Sequence, residues 1–247
     1  MSNPHQQPAQ SLMKAAQQEA SKARRPWYYV GRVARFLFIG YAIQLLLFAA
    51  LAYWVHQNPV SPLDVTITRE LQEHPASWVR VTMLVISYPG SSFVLPLLVV
   101  TTVILFWVVR LRLEAVMIGS LSLVSAVLNA LLKVLVARPR PDAHWVEVFQ
   151  TATGNSFPSG HVMAYLAFWG LLFSFGILLF RGVRWWRITL LIVSALFVVL
   201  VGPSRVYLGD HWASDVLGSY LIGGVLLGVT LWLYLQLKQR GILTPKG

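Results

Sequence analysis

Three short clusters hold the residues of this chain that could do chemistry. They are Lys133 with Arg140-Pro141, Pro158-Ser159-Gly160-His161, and Ser204-Arg205 with His211 and Asp215. Almost every other strong feature is apolar. Together the clusters supply two histidines, one carboxylate and three fixed cations, a set suited to moving a phosphoryl group without a metal. His211 and Asp215 are spaced i, i+4 at the start of a predicted helix, which places them on one helix face. A carboxylate there can accept the Nδ1 proton of the imidazole, fixing the tautomer and leaving Nε2 free as a nucleophile. The same spacing also suits a purely structural His–Asp cap. Asp210 is a rival partner, although an adjacent residue points elsewhere on a helix.

Pro158 precedes a helical run, and Gly160 lets backbone approach a ligand closely. The first amides of a helix lack internal partners and can seat a phosphate. His161 in that first turn can give a proton to a departing oxygen; the plainer alternative is an ordinary helix start with a solvated histidine. Arg140 lies between Pro139 and Pro141, so its loop is stiff. A guanidinium such as Arg140 or Arg205 can hold two phosphate oxygens at once. Arg205 is expected in the short loop before His211. Lys133 adds a third cation, though alone it could simply snorkel to the interface. Asn129, one turn before Lys133, is expected to orient the lysine or else to pack. Asp142, His144 and Glu147 share a loop but not a metal-ligand spacing. His5, His56 and His74 read as solvated. No metal or other cofactor is expected.

These residues need elements to position them, and composition says which. The chain has 247 residues, 56% of them hydrophobic and 12% charged, where soluble domains carry about 25% charged residues. Mean hydropathy is +0.62, which places the chain in the membrane class. The net charge of +11 does not call for nucleic acid, because most cations flank apolar spans. With no cysteine, disulfides and thiolate metal sites are excluded.

Six apolar spans are expected, at about 35–55, 92–109, 113–136, 162–180, 187–203 and 212–236, each near the roughly 20 residues that cross a bilayer. The first could instead be a signal sequence ending at Ala50-Leu51-Ala52, but the long basic segment before it favours a retained anchor. Residues 76–88 are too short to span and read as a helix lying at the interface or packed on the bundle. The fold class is therefore all-α, a six-transmembrane-helix bundle with one short extracytoplasmic interfacial helix. Its parts are a polar basic tail over 1–33, a membrane-embedded domain over 34–240 and a short tail over 241–247. Segment 11–23 is either an amphipathic helix or part of a mobile tail. With six spans, one face receives only Arg69, Arg80, Lys133, Arg138, Arg140 and Arg205 of the 20 Lys and Arg. The other face is then cytoplasmic and carries both termini, and all three clusters lie on the extracytoplasmic side. Gly218, Gly223, Gly224 and Gly228 suggest close helix packing in the last span.

In order and spacing the clusters resemble the three-part signature of the type 2 phosphatidic acid phosphatase superfamily: Lys133 through Arg140-Pro141, then residues 158–161, then Ser204, Arg205, His211 and Asp215. No motif position departs from the pattern, and the resemblance covers about residues 60–236. It implies a six-helix integral membrane enzyme that removes phosphate through a phosphohistidine, without metal. By that resemblance His211 is the nucleophile and Asp215 its orienting partner. His161 is the acid for the leaving group and then the base for water. Lys133, Arg140, Ser159, Gly160 and Arg205 form the phosphate cradle.

The expected activity is hydrolysis of a lipid phosphate or diphosphate at the outer leaflet of a plasma (inner) membrane. Phosphatidic acid, phosphatidylglycerol phosphate and undecaprenyl diphosphate all suit such a site. A phosphotransferase passing the group to a lipid or sugar hydroxyl would use the same residues. An anion transporter or binding protein would need neither the His–Asp pair nor a second histidine. Loops 57–91 and 142–157 are expected to shape the entrance.

Overall fold

Long runs of Leu, Val, Ile and Phe give the backbone no solvent partner in hydrocarbon, and a helix satisfies each N–H and C=O within the segment. The computed structural model describes residues 27–73, 76–150, 152–180 and 182–243, and every regular element among them is helical. The helices are α1 (Trp27–Gln57), α2 (Pro62–Gln72), α3 (Ser77–Ser87), α4 (Val94–Val108), α5 (Arg112–Val136), α6 (Gly160–Tyr165), α7 (Leu171–Leu178), α8 (Trp185–Tyr207) and α9 (Ala213–Gln239). A 3₁₀ turn over Tyr88–Gly90 follows α3, and a π-helical turn over Leu166–Gly170 joins α6 to α7. The chain forms two compact units, up to Ile43 and from Gln44. The described part of the first is the beginning of α1, where Phe36, Phe38 and Ile43 are exposed. The expected helix or mobile tail over 11–23 lies outside the described residues, as do His5 and His74.

Among the described residues, five helical stretches are long and apolar enough to cross a membrane: Arg35–Gln57, Arg112–Val136, Gly160–Leu178, Trp185–Tyr207 and Ala213–Gln239. The expected second span is different. α4 has 15 residues, about 22 Å at a rise of about 1.5 Å per residue, short of a hydrocarbon core of about 30 Å. Ser77–Gly90 meets Val94–Val108 at a bend of 53°, and the pair together passes as a sixth, broken span. The expected full span over 92–109 is thus corrected: α4 does not reach across alone and is joined through the bend to the helix expected over 76–88. α2 also lies in what was expected to be loop. Yet Ser61 precedes it, Pro62 opens it and Asp64 sits in its first turn, all features of a helix start.

The stretch from α6 through α7 is the centre of the bundle, the most buried of the five spans. Leu113, Ile118, Phe168, Phe175 and Tyr234 pack it against α5 and α9. Val162, Tyr165, Val201 and Val216 pack it against α8 and α9. α9 approaches closely because a Cβ at Gly218 would fall 2.6 Å from Phe157, and one at Gly223 would fall 2.7 Å from Leu166. Pro203 sits inside α8 and removes the N–H that would bond the Val199 carbonyl. Tyr220 of α9 covers that gap, donating its hydroxyl to Val198 O at 2.6 Å and lying 3.4 Å from Val199 O. At the end of α5 away from Lys133, buried Glu114 accepts from Tyr234 Oη at 2.7 Å and Lys238 Nζ at 3.1 Å.

α3 packs on α8 and leaves Trp78, Val81 and Val85 exposed. Its end reaches the second cluster. Tyr165 Oη donates to Ile86 O at 2.6 Å, and a Cβ at Gly90 would lie 2.3 Å from His161 Cδ2 and 2.7 Å from Tyr165 Cε2. The 3₁₀ turn therefore acts as a wall against the His161 ring. A Gly90→Ala variant should fold, elute as a single species in detergent, and lose phosphate release by about 10²-fold, the size of effect a misplaced catalytic group of about 1 Å produces. Wild-type turnover in that variant would show that the turn does not fix the ring.

Candidate active site

α5 ends where Ala137 adopts the left-handed conformation and bonds its N–H to Lys133 O. That reversal sends the chain back across the bundle. Lys133 Nζ donates to Asn155 O at 2.8 Å, and Asn155 Nδ2 returns a bond of 2.8 Å to Lys133 O. Arg140 Nε donates to Gly154 O at 3.1 Å and its Nη1 to Asp210 O at 2.8 Å. Asn129 does not orient Lys133; its Nδ2 donates to Pro158 O at 3.0 Å and fastens the loop ahead of α6.

Arg205 lies in the last turn of α8, not in the loop where it was expected. Its Nη1 donates to Ser87 Oγ and approaches Gln150 Oε1 at 3.4 Å. Its Nη2 stands 2.7 Å from Asp210 Oδ2, an ion-pair distance without hydrogen-bond angles. Asp210 is thereby committed to Arg205 and not to His211. Gly209 has φ +73°, and a Cβ there would meet Glu147 O at 2.2 Å, so the turn that carries Asp210 and His211 requires glycine.

His211 and Asp215 come together by a different route from the one their spacing suggests. α9 begins at Ala213, so His211 sits in the turn ahead of it and Asp215 at the third helical position. The carboxylate folds back over the helix start. Its Oδ2 accepts the Trp212 N–H at 2.9 Å and the Ser156 hydroxyl, and lies 3.5 Å from His211 Nδ1. Its Oδ1 accepts Arg138 Nη1 at 2.6 Å. On the tautomer that points an Nδ1 proton toward Asp215, the Nε2 lone pair of His211 faces Arg140 Nη1, 3.4 Å away.

Arg138 is not one of the motif residues. It is fully buried and every branch is used: Nη2 to Asp64 Oδ2 at 2.7 Å, Nη1 to Ser214 Oγ at 2.7 Å as well as to Asp215, and Nε to Pro59 O at 2.9 Å. Asp64 also accepts the Ser214 N–H at 2.9 Å. Asp64, Ser87, Gly90 and Ser156 are further site residues that the motifs did not show.

One cavity of about 840 Å³ is lined by Lys133, Arg140, Gly160, His161, Arg205, Asp210 and His211. The two histidines and three cations from separate clusters thus share one chamber. Ser159 does not line it; its side chain is buried and Oγ has no hydrogen-bond partner. His56 is not free either, since its Nδ1 lies 2.9 Å from Val136 O. Asp142 Oδ1 accepts the His144 N–H at 2.9 Å, a local turn.

Burial governs the charges outside the spans. His211 is pulled down to about 4 by desolvation, against the opposing pull of Asp215, so its imidazole is neutral near pH 7. Burial likewise lowers Arg140 and raises Asp210, with Arg205 opposing the shift of Asp210. The result is a neutral, oriented imidazole opening on a cationic chamber.

A model of the PAP2 superfamily matches residues 113–239. Phosphatidylglycerophosphatase B of Bacillus subtilis (strain 168) is 31% identical over 179 residues, covering 72% of this chain and 86% of that protein. Lipid phosphate phosphatase 2 of Arabidopsis thaliana is 34% identical, covering 46% of this chain and 47% of its own length. Among solved structures, the transmembrane PAP2-type phosphatidylglycerolphosphate phosphatase of Bacillus subtilis has a TM-score of 0.68 at 26% identity, covering 79% of this chain and 96% of that one. Sequence and fold agree on one affiliation: the chain belongs to the PAP2 superfamily, as a multi-pass membrane protein and a phosphoric ester hydrolase.

Proposed function

We propose that this chain hydrolyses the phosphomonoester or diphosphate of a membrane lipid through a phosphohistidine on His211. The observation that carries this reading is the buried, neutral His211, with Nδ1 toward Asp215 and Nε2 toward a chamber ringed by Lys133, Arg140 and Arg205. The Nε2 lone pair attacks phosphorus and the bond to the leaving oxygen breaks. His161 gives that oxygen its proton and is left neutral. Water then attacks phosphorus, His161 takes the water's proton, and the P–N bond breaks to release inorganic phosphate and neutral His211. Asp215 stabilises the imidazolium character that develops while the phosphoryl group is attached. The cations, with Gly160 and the amides at the start of α6, stabilise charge on the pentavalent phosphorus. Ser159 is the weakest member of the proposed cradle, since its hydroxyl would have to turn to reach the ligand. No step calls for a metal. The cation asymmetry supports a site on the extracytoplasmic side of a plasma (inner) membrane, with both termini cytoplasmic and α3 at the outer interface.

His211→Ala should insert and fold yet lose phosphate release by more than about 10³-fold, as expected when a nucleophile is removed. Phosphate release from a panel of lipid phosphates by detergent-purified protein checks this, with a chelator present throughout. Activity in His211→Ala, or its complete loss on chelation alone, would contradict the scheme.

A second expectation concerns pH. The nucleophile must be unprotonated, so its contribution to kcat/KM is present above its pKa and lost as pH falls through about 4. After correction for ionisation of the substrate, the enzyme's acid limb should fall there. A limb near the ordinary histidine value of about 6.5 would indicate a solvated imidazole.

A further inference from the structure

A second cavity, of about 300 Å³, adjoins the phosphate chamber. The two share Ser91, Ser92, Gly160 and His161, but the smaller one touches neither His211 nor any of the three cations. His161 therefore borders both cavities, whereas the nucleophile borders only the larger. In an in-line displacement the attacking and leaving groups stand on opposite sides of phosphorus, and His161 is the proposed donor to the leaving oxygen. The smaller cavity is on the leaving group's side.

Its lining is unusual for a place between membrane helices. Ser122, Ser125 and Asn129 of α5 fall at i, i+3 and i+7, in line with Lys133 at i+11, on one face of a strongly apolar helix. Ser125 is only 2% exposed. Ser122 Oγ is buried and makes no hydrogen bond, whereas Ser174 and Thr189 return their hydroxyls to the carbonyls four residues back at 2.8 and 3.0 Å. A buried hydroxyl without a partner is costly. A hydrocarbon tail filling this cavity would leave it unpaired.

We propose that this cavity takes the oxygen-bearing glycerol portion of a glycerolipid phosphate, with Ser122 and Ser125 as residues that favour that class over prenyl diphosphates. The inference rests on His161 as the leaving-group acid in the reading above. Beside the scissile oxygen, a glycerolipid carries another oxygen on the adjacent carbon, either a free hydroxyl or an ester. Both can bond to a serine hydroxyl. A prenyl diphosphate departs as a prenyl monophosphate, which would bring an anionic phosphate into a cavity that touches none of the three cations, with only C–H beyond it.

The test compares wild type with Ser122→Ala, Ser125→Ala and the double variant, as the full chain in detergent. The probes are dioleoyl phosphatidylglycerol phosphate, dioleoyl phosphatidic acid and farnesyl diphosphate. We expect wild type to favour the glycerolipids. The ratio of their kcat/KM to that of farnesyl diphosphate should fall about tenfold in the double variant, the scale of one or two lost hydrogen bonds. A fall for phosphatidylglycerol phosphate alone would identify the hydroxyl as the bonded group, and a fall for both glycerolipids the ester or a shared oxygen. An unchanged ratio would overturn the inference while leaving hydrolysis through His211 intact. If the double variant does not fold, the single variants give the same ratio. Wild type inactive on all three probes would instead remove the underlying reading and this inference with it.

Discussion

Asp215 has no access to water, and the need to compensate its buried charge organises the site around it. A lone buried carboxylate would take up a proton and lose its use as an orienting base. Here it receives a guanidinium, a hydroxyl and a backbone N–H in addition to the imidazole. The guanidinium is buried too, so Arg138 needs a second carboxylate, and Asp64 supplies it from α2. Asp64 in turn caps the start of α9 through the Ser214 N–H. Removing one member of such a pair costs about 3–5 kcal/mol, because a buried charge is left behind. Such pairs often add little net stability against an apolar replacement. What this one supplies is geometry: a single carboxylate position, and hence a single imidazole orientation.

The cradle uses its charges the other way. Lys133 and Arg140 are held by the carbonyls of Asn155, Gly154 and Asp210, and Arg205 by the side chains of Ser87 and Gln150. Neutral acceptors fix where these cations point without cancelling their charge. Among the described residues, the ion pair made within the cradle is that of Arg205 with Asp210; one carboxylate set against three cations leaves two positive charges in excess. A phosphate monoester carries about −1.5 to −2 near pH 7, so the ligand completes the electrostatics. Donors placed beforehand need not reorganise as charge moves onto the phosphoryl oxygens.

Much of this was legible in the sequence, because the motif residues carry their chemistry in their types. His161, His211, Lys133, Arg140 and Arg205 do share one chamber. The supporting residues were not legible, for physical reasons. Arg138 and Arg140 are alike in type and are separated by one proline. Which of them turns into the bundle depends on the left-handed Ala137, a conformation that alanine does not announce. Asp64 sits in a short helix of mixed polarity, whose start signals are weak beside the longer apolar runs. The i, i+4 spacing of His211 and Asp215 led to the right pair by the wrong geometry, since the pair is made across a helix cap. The second span departs from expectation because hydropathy does not register a bend of 53° between Gly90 and Val94.

The arrangement also explains why the site sits at the ends of helices and not along their flanks. A phosphoryl transfer needs a nucleophile and a proton donor on opposite sides of one atom, with donors around its equator. Two helix starts bring the histidines, His161 at the head of α6 and His211 just ahead of α9. Two helix ends bring cations, Lys133 in the last turn of α5 and Arg205 in that of α8. Antiparallel neighbours put starts beside ends at one level, so the four groups converge on one cavity at that end of the helices. In the proposed scheme the residues behind that level face the organic part of the substrate. On α5 they are serines and an asparagine instead of leucine, and a polar stripe continues from Lys133 toward the bundle interior. In an apolar helix such a stripe is disfavoured unless something polar meets it. The group that departs from phosphorus on the His161 side is well placed to do so.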